Sequence, residues 1–442
     1  IIYIKRVKMK DKILELVEEF IDGQEKKFVP GKTVVQYTGP TIDKEEYTAI
    51  IGTVLDGWFG LGAQASEFET KVALRLSKMY GVYVNSGSSA NLIALETMKE
   101  LYCKEDKIYK IITPAASFPT TVNPIIQLGF EPVFVDVELG TYNLKEEQVL
   151  EALKDDDVIG IMYAHPLGIP VANTKKYYEL IKQKGGFLVE DCCDALDSTY
   201  NDGELVGKYS DAATLSFYAA HHITTGEGGM VAFSKRNASN VARSFRDWGR
   251  ACFCAGKDVL SSTGACNKRF ADWLGNGVTT DHRYVYDRIG YNVKPLELQA
   301  SMGLAQLKKL DDLTQRRKNN YECLNKYMKK YEEYMILPVS PKGTEASWFS
   351  YPMTIKESAP FNRADIVEFL EENKIQTRNF FAGNLLDHPA YKQFDFDLKY
   401  SLDNASKITN NTFMIGVWPG LNEEIYQYVF KVFDDFFIEK GL

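Results

Sequence analysis

The stretch FLVEDCCDAL, residues 187–196, decides how the chain is read: a short apolar run gives way to the carboxylates Glu190 and Asp191, and two cysteines follow. An apolar run that does not alternate is the pattern of a strand buried on both faces, and this one begins at 186. Comparable runs lie at 109–113, 132–137, 158–164 and 212–218, with helically spaced segments near 120–128, 145–154 and 173–182 between them. SSANLIALETMKELY, 88–102, predicts a further helix, opened by the turn Asn85-Ser86-Gly87. Strands that alternate with helices predict an α/β fold, with a mostly parallel central sheet covered on both faces. A long helical pattern from 296 to about 334 then leads to WFSYPMTI and to helices expected at 363–372 and 423–437, the elements of a smaller C-terminal α+β domain. The division read from this pattern is an N-terminal helical segment (1–60), a large domain (61–300), and a linking helix with the small domain (301–442).

Composition sets outer limits. A chain of 442 residues, 45% hydrophobic and 25% charged, has ample core for two globular domains. Its net charge of −8, from 52 basic and 60 acidic residues, argues against a nucleic-acid partner. Short basic runs such as Arg316-Arg317-Lys318 read as the solvated face of a helix. No run of about 18 apolar residues exists, so no membrane-spanning helix is expected. The opening IIYIKRVKMKDKILELVEEF has too short an apolar stretch for a signal peptide and lacks a small-residue cleavage site. It reads as a leader to an amphipathic helix over 10–21, with Met9 a candidate start. Seven cysteines are an odd number for a disulfide framework, so reduced thiols and a cytoplasmic location are expected.

In such a sheet ligands gather at the carboxyl ends of the strands, so the strand-to-helix loops are where chemistry is expected. Asn85-Ser86-Gly87-Ser88-Ser89 opens a helix, where N–H groups, helix dipole and hydroxyls can cradle a phosphate; the same loop also serves as a plain cap. Asp191 at a strand end can hold a pyridinium nitrogen protonated, or be an ordinary strand-end carboxylate. Ser216 leads into SFYAAHHITTGEGG, 216–229, with the pair His221-His222 ahead of a Gly-rich turn. A serine there can donate to a phosphate, while a histidine pair is commonly structural. Phe118, after Ala115-Ala116-Ser117, can stack on a flat heterocycle or belong to the core.

In order and spacing, NSGSSANLIAL, PVFVDVELGTYNL, VEDCCDA, SFYAAHHITTGEGG and IGYNVKPLELQA resemble the sugar aminotransferase family of fold-type I pyridoxal phosphate enzymes, which act on nucleotide-linked keto-sugars. The likeness runs from about residue 31 to the C-terminus. It implies that Asp191 pairs with the pyridine nitrogen and that Ser88, Ser89 and Ser216 hold the phosphate. Phe118 would stack on the ring, and Asn292 would reach the phosphate of the neighbouring subunit in a homodimer. The family's lysine falls on His221. An imidazole has no primary amine for a Schiff base, so the cofactor would be held non-covalently as pyridoxamine phosphate, with His221 as general base. A narrower group is similar in carrying HHIT and an acidic residue at Asp194: the 3-dehydratases of 4-keto-6-deoxy sugars. His165 is read as a packed or hydrogen-bonded histidine.

Cys193 and the segment FRDWGRACFCAGKDVLSSTGACNKRF, 245–270, with Cys252, Cys254 and Cys266, offer four thiols. By spacing they suit an iron–sulfur cluster, a tetrahedral zinc, or no metal. The resemblance to those 3-dehydratases that carry a [2Fe–2S] cluster, through FRDWGR-x-C-x-C and C-x-K-R-F, implies that these four are its ligands, with Cys103, Cys192 and Cys323 structural. It implies C3 deoxygenation of a CDP-linked 4-keto-6-deoxyhexose, on the route to 3,6-dideoxyhexoses of surface polysaccharide. Electrons would come from a separate NAD(P)H-dependent flavin and iron–sulfur reductase, since the chain shows no flavin or NAD fingerprint. Two gaps exceed the family pattern: the eleven residues 255–265, and, by one residue, the gap from Cys193 to Cys252. An insertion costs little if the loop ends still meet. The alternatives are a cluster-free dehydratase of a GDP sugar that uses glutamate to restore the amine, a conventional aminotransferase, and a metal-binding scaffold without catalysis.

Overall fold

The computed structural model describes residues 2–23, 27–104, 107–254, 258 and 261–442. Seven strands carry its α/β part: β1 (Tyr80–Val84), β2 (Lys110–Pro114), β3 (Glu131–Val135), β4 (Val158–Ala164), β5 (Phe187–Asp191), β6 (Ala212–Ser216) and β7 (Gly229–Phe233). They fall in two compact units whose segments interleave along the chain. The α/β class with mostly parallel strands is the class read from the sequence.

The first unit combines the N-terminal helix with Pro40–Leu101 and Ala212–Leu310. Here β7 lies between β1 and β6 and runs antiparallel to both, so that Gly229 faces Val84 on one side and Ser216 on the other. The start of β7 is therefore level with the ends of β1 and β6, from which the phosphate-cradle loop and the histidine loop depart. Gly229 is obligatory: a Cβ there would stand 2.2 Å from the Ser86 carbonyl oxygen and 2.7 Å from the Gly87 nitrogen. The core below is aromatic, with the rings of Phe68, Tyr83 and Phe217 meeting at centroid distances of 5.0 to 5.9 Å. Beside it the buried Glu69 carboxylate accepts the Tyr83 amide (2.9 Å), both outer nitrogens of Arg243 (3.1 and 2.6 Å) and Arg246 Nη1 (3.1 Å).

The second unit combines Lys27–Gly39, Tyr102–Asp211 and Asp311–Leu442. Its strands stand in the order β5, β4, β2, β3, all parallel, with Ala164 level with Asp191 and Pro114 level with Val135. Helices Glu146–Ala152 and Thr174–Gln183 bury Val149, Tyr177 and Ile181 against Ile112, Ile161 and Leu188. Fully burying each aliphatic side chain contributes about 1.5–3 kcal/mol, which offsets the entropy of ordering the layer. The C-terminal part adds an antiparallel sheet ordered Met335–Ile336, Ser350–Ile355, Thr412–Gly416, Arg378–Asn379, with helices Arg363–Glu372 and Glu423–Glu439.

Three expectations change. β1 and β7 are absent from the sequence reading because each carries glycine at a position where a longer apolar run would have marked a strand. The single long helix is two, Glu297–Leu307 and Leu310–Met328, parted where the Lys309 ammonium turns to Glu46 at 2.8 Å. Arg317 is not solvated: it is 1% exposed and donates to the carbonyls of Trp348 and Phe349 at 3.3 Å. No helix among the described residues is long and apolar enough to cross a membrane.

Glu69→Ala would leave two inward guanidinium groups and a strand amide without their acceptor. The expected loss of stability is about 3–5 kcal/mol in urea unfolding followed by circular dichroism. A loss below about 1 kcal/mol would show that water or another carboxylate replaces it.

Candidate active site

In the first unit, the helix Gly87–Tyr102 starts immediately after β1. The Ser86 hydroxyl accepts from the Ser89 amide at 3.1 Å, the arrangement of a helix cap, and lies 3.1 Å from the Ser89 hydroxyl. Asn85 N donates to Val293 O at 2.8 Å, which fixes the loop to the segment bearing Asn292. Ser88 and Asn292 are exposed and Ser89 is half-buried. The sequence marked Ser86 only as part of this turn; the structure makes its hydroxyl the helix cap. A helix start of this kind is a common place for an anion.

Ser216 ends β6, and its hydroxyl accepts from the Tyr218 amide at 3.3 Å. The loop that follows is laced to its own backbone. His221 N donates to Tyr218 O (3.0 Å), Thr225 N and Thr224 Oγ1 to Phe217 O (both 3.0 Å), and Phe217 N to Gly228 O (2.8 Å). The Tyr83 hydroxyl donates to Thr225 Oγ1 at 3.0 Å, tying the loop to β1. His221 thus stands half-buried on a rigid turn, while His222 is buried.

The same unit gathers three cysteines. Burial pushes the Cys252 thiol up to about 11, and the Cys254 thiol beside it adds to the rise while the Cys254 amide opposes it. Cys254 Sγ accepts from the Ala265 amide at 3.3 Å. Gly264 lies between the next pair, since a Cβ there would be 3.1 Å from Cys254 Sγ and 3.9 Å from Cys266 Sγ. Its φ of +68° makes glycine doubly suited. Residues 255–257 and 259–260 of the longer intervening loop lie outside the described residues. Among the described residues no three cysteines have their sulfurs within 4.8 Å of one another.

The second unit carries the carboxylates. Asp191, 4% exposed at the end of β5, accepts from Thr121 Oγ1 on one oxygen (2.8 Å) and from the Cys193 amide on the other (3.1 Å). Thr121 is a contact that no sequence pattern announced; it comes from the helix Pro119–Gln127, brought to β5 by the fold. Burial, then the Asp191 and Asp194 carboxylates, push the Cys193 thiol well above its usual range. Burial lowers the Arg317 guanidinium to about 10, and the Asp194 carboxylate opposes that effect. Phe118 has 47% of its surface exposed, with its ring edge-on to Phe381 at 5.9 Å. Beside it the buried Ser117 hydroxyl has no hydrogen-bond partner among the described residues.

His165 is wholly buried. Its Nδ1 accepts from the Val171 amide (3.0 Å), and its Nε2 meets Glu190 at 2.8 Å, so the proton sits on Nε2. Glu190 also accepts from the Tyr200 hydroxyl and from the Gly207 amide (2.8 Å). His165, Glu190 and Cys192 are close enough to hold a metal ion, but both ring nitrogens are already engaged.

Comparison with known proteins sets the class. Residues 40–434 match the DegT/DnrJ/EryC1/StrS aminotransferase family, and the chain belongs to it. It is 39% identical over 435 residues to the lipopolysaccharide biosynthesis protein RfbH of Salmonella typhimurium, covering 97% of this chain and 98% of that one. It is 38% identical to the dTDP-4-dehydro-2,6-dideoxy-D-glucose 3-dehydratase of Saccharopolyspora spinosa, covering 97% and 92%. Among solved structures, a mutant GDP-4-keto-6-deoxymannose-3-dehydratase with bound GDP-perosamine superposes with a TM-score of 0.78 at 27% identity, over 90% of this chain and 99% of that one. The fold is the fold-type I arrangement expected from the sequence.

His165→Phe would remove a donor from a buried carboxylate. The expected effect is a loss of about 1.5–3 kcal/mol in unfolding free energy, with ligand binding retained. Unchanged stability with lost activity would instead make His165 a substrate residue.

Proposed function

We propose that the chain is a pyridoxamine-phosphate-dependent 3-dehydratase of a nucleotide-linked 4-keto-6-deoxyhexose. One feature carries the reading: His221, which the resemblance puts at the family's lysine position, is held on a laced turn and has no primary amine to form a Schiff base. On this reading Ser88, Ser89, Ser216 and the helix start take the cofactor phosphate. Asp191 meets the ring nitrogen, its orientation set by Thr121 and the Cys193 amide. Phe118 offers its exposed ring for stacking, Asp194 lies beside the ring hydroxyl, and Asn292 serves the partner subunit of a homodimer. In one unit the Ser117 hydroxyl, without a hydrogen-bond partner among the described residues, and in the other the tight turn over Gly229, each suit a polar ligand. When bound, pyridoxamine phosphate supplies a primary amine for the C4 ketone and a ring that takes up an electron pair. His221 moves the proton from the carbon that bears the amine, so that the C3 hydroxyl can leave. The segment 61–300 is then the cofactor-binding domain.

The finer reading assigns Cys193, Cys252, Cys254 and Cys266 to a [2Fe–2S] cluster, fed by a separate NAD(P)H-dependent reductase. The protein would then act as the CDP-6-deoxy-L-threo-D-glycero-4-hexulose-3-dehydrase, a cytoplasmic enzyme of dideoxysugar synthesis. Support comes from the likeness in FRDWGR-x-C-x-C, with Cys254 acting on the Cys252 thiol and Gly264 lying between Cys254 and Cys266. The likeness to a lipopolysaccharide biosynthesis protein supports a surface-sugar route, and the dTDP-named relative makes dTDP the nucleotide to try beside CDP.

His221→Lys should form a Schiff base with pyridoxal phosphate, visible in the absorption spectrum and trapped by borohydride, while dehydration falls at least a hundredfold. Dehydration at the parent rate would remove His221 from the mechanism. Protein purified without oxygen should hold near two irons and two acid-labile sulfides per chain, roughly half or more lost in Cys252→Ser. Zinc, or no metal, would leave the hydrolytic GDP-sugar dehydratase as the reading.

A further inference from the structure

The first unit contains a cavity of about 250 Å³ whose lining includes Cys252 and Cys254 and whose cationic side chains have no part in the reaction described above. Five cationic side chains line it, Arg243, Arg246, Arg250, Arg283 and Lys294, against two carboxylates, Glu69 and Asp247. The carboxylates are already engaged. Glu69 takes Arg243 and Arg246, and Asp247 takes Arg246 through Nε at 2.8 Å and Nη2 at 3.1 Å. Arg250, Arg283 and Lys294 are left without an ion pair among the described residues.

These three differ in what they face. Arg283 donates to the Ser261 carbonyl at 3.0 Å and acts on the Cys252 thiol. Arg250 and Lys294 instead flank Trp248: the Lys294 ammonium is 3.1 Å from the ring centroid and the Arg250 guanidinium 4.5 Å. Among the described residues the buried Arg250 Nε has no hydrogen-bond partner, and Lys294 donates to Asn292 Oδ1, at 2.8 Å. Burial, with Arg246 and Arg250 alongside, pushes the Lys294 ammonium down to about 8 despite Asp247. The backbone keeps Trp248 in this place at φ +62°, with its amide on the Tyr291 carbonyl at 2.6 Å. Two neighbouring cations, one with an idle buried donor, form a pair of prongs that lacks its anion.

We propose that Arg250, Lys294 and Trp248 form a diphosphate-binding site, and that the diphosphate is that of the nucleotide-linked substrate. The second half of this rests on the reading of the chain as a nucleotide-sugar enzyme. The volume agrees: at about 30 Å³ per water it holds roughly eight, enough for a diphosphate but short of a whole sugar nucleotide. Trp58, at the same cavity and 44% exposed, offers a flat surface for the part that extends outward.

The test is calorimetric titration of the purified holoprotein with inorganic pyrophosphate and, separately, with CDP, followed by competition between them. Both should bind once per chain and exclude each other. Arg250→Gln and Lys294→Met should each weaken both ligands about tenfold or more, with melting temperature and iron content unchanged. If pyrophosphate does not bind, or binds equally to both variants, there is no such site. If pyrophosphate binds and CDP does not compete, the site takes a free anion and the assignment to substrate fails. If the variants lose iron while pyrophosphate affinity stays, the cations serve the cysteines and the proposal falls. The nucleotide-sugar reading is checked apart from all of these, by turnover of the CDP sugar in the parent protein.

Discussion

The first unit depends on one buried carboxylate. Glu69 joins its own helix to β1 through the Tyr83 amide and to the helix Arg236–Arg246 through two arginines. From there the constraint passes along the backbone, because the Arg246 carbonyl accepts the Val293 amide and the Val293 carbonyl accepts the Asn85 amide. A single acid thus sets where the phosphate-cradle loop begins, where Asn292 lies, and how Asp247 and Trp248 leave the helix. A buried ion pair is a poor source of stability in itself, but it fixes one arrangement among many.

On the proposed function that fixity matters, because His221 would offer the cofactor no covalent tether. A lysine in its place would join itself to the cofactor and be positioned by the bond. An imidazole must be positioned beforehand, and the lacing of 217–228, with Tyr83 on Thr225, does so. In the second unit Asp191 is held in the same manner, by Thr121 on one oxygen and a backbone amide on the other. Within its own unit, each of these two proposed cofactor contacts is held by hydrogen bonds.

Arg243, Arg246, Arg250, Cys252 and Cys254 line the cationic cavity from one short length of chain, and Arg283 and Lys294 join them from further along. Both carboxylates there are engaged by Arg243 and Arg246. A chain with an overall charge of −8 thus keeps a local surplus of cations at this cavity.

Much was legible in the sequence, for identifiable reasons. Uninterrupted apolar runs marked β2 to β6, since a strand covered on both faces needs apolar side chains on both. The order of the loops, and a histidine in place of lysine, followed from covalent chemistry that no fold can alter. Glycine hid β1 and β7, because pattern reads side chains and glycine has none. Arg317 was misjudged for a related reason: its charge suggested water, while the fold supplied two carbonyls and Asp194. Thr121 meets Asp191 from 70 positions away and Arg243 meets Glu69 from 174, while Lys294 reaches Trp248 and Arg250 from a separate segment, and only the tertiary structure brings them together. The sequence by itself determined which groups the chain possesses and which bonds they can form. The tertiary structure decided which of them meet, because burial and hydrogen-bond partners belong to neighbours in space.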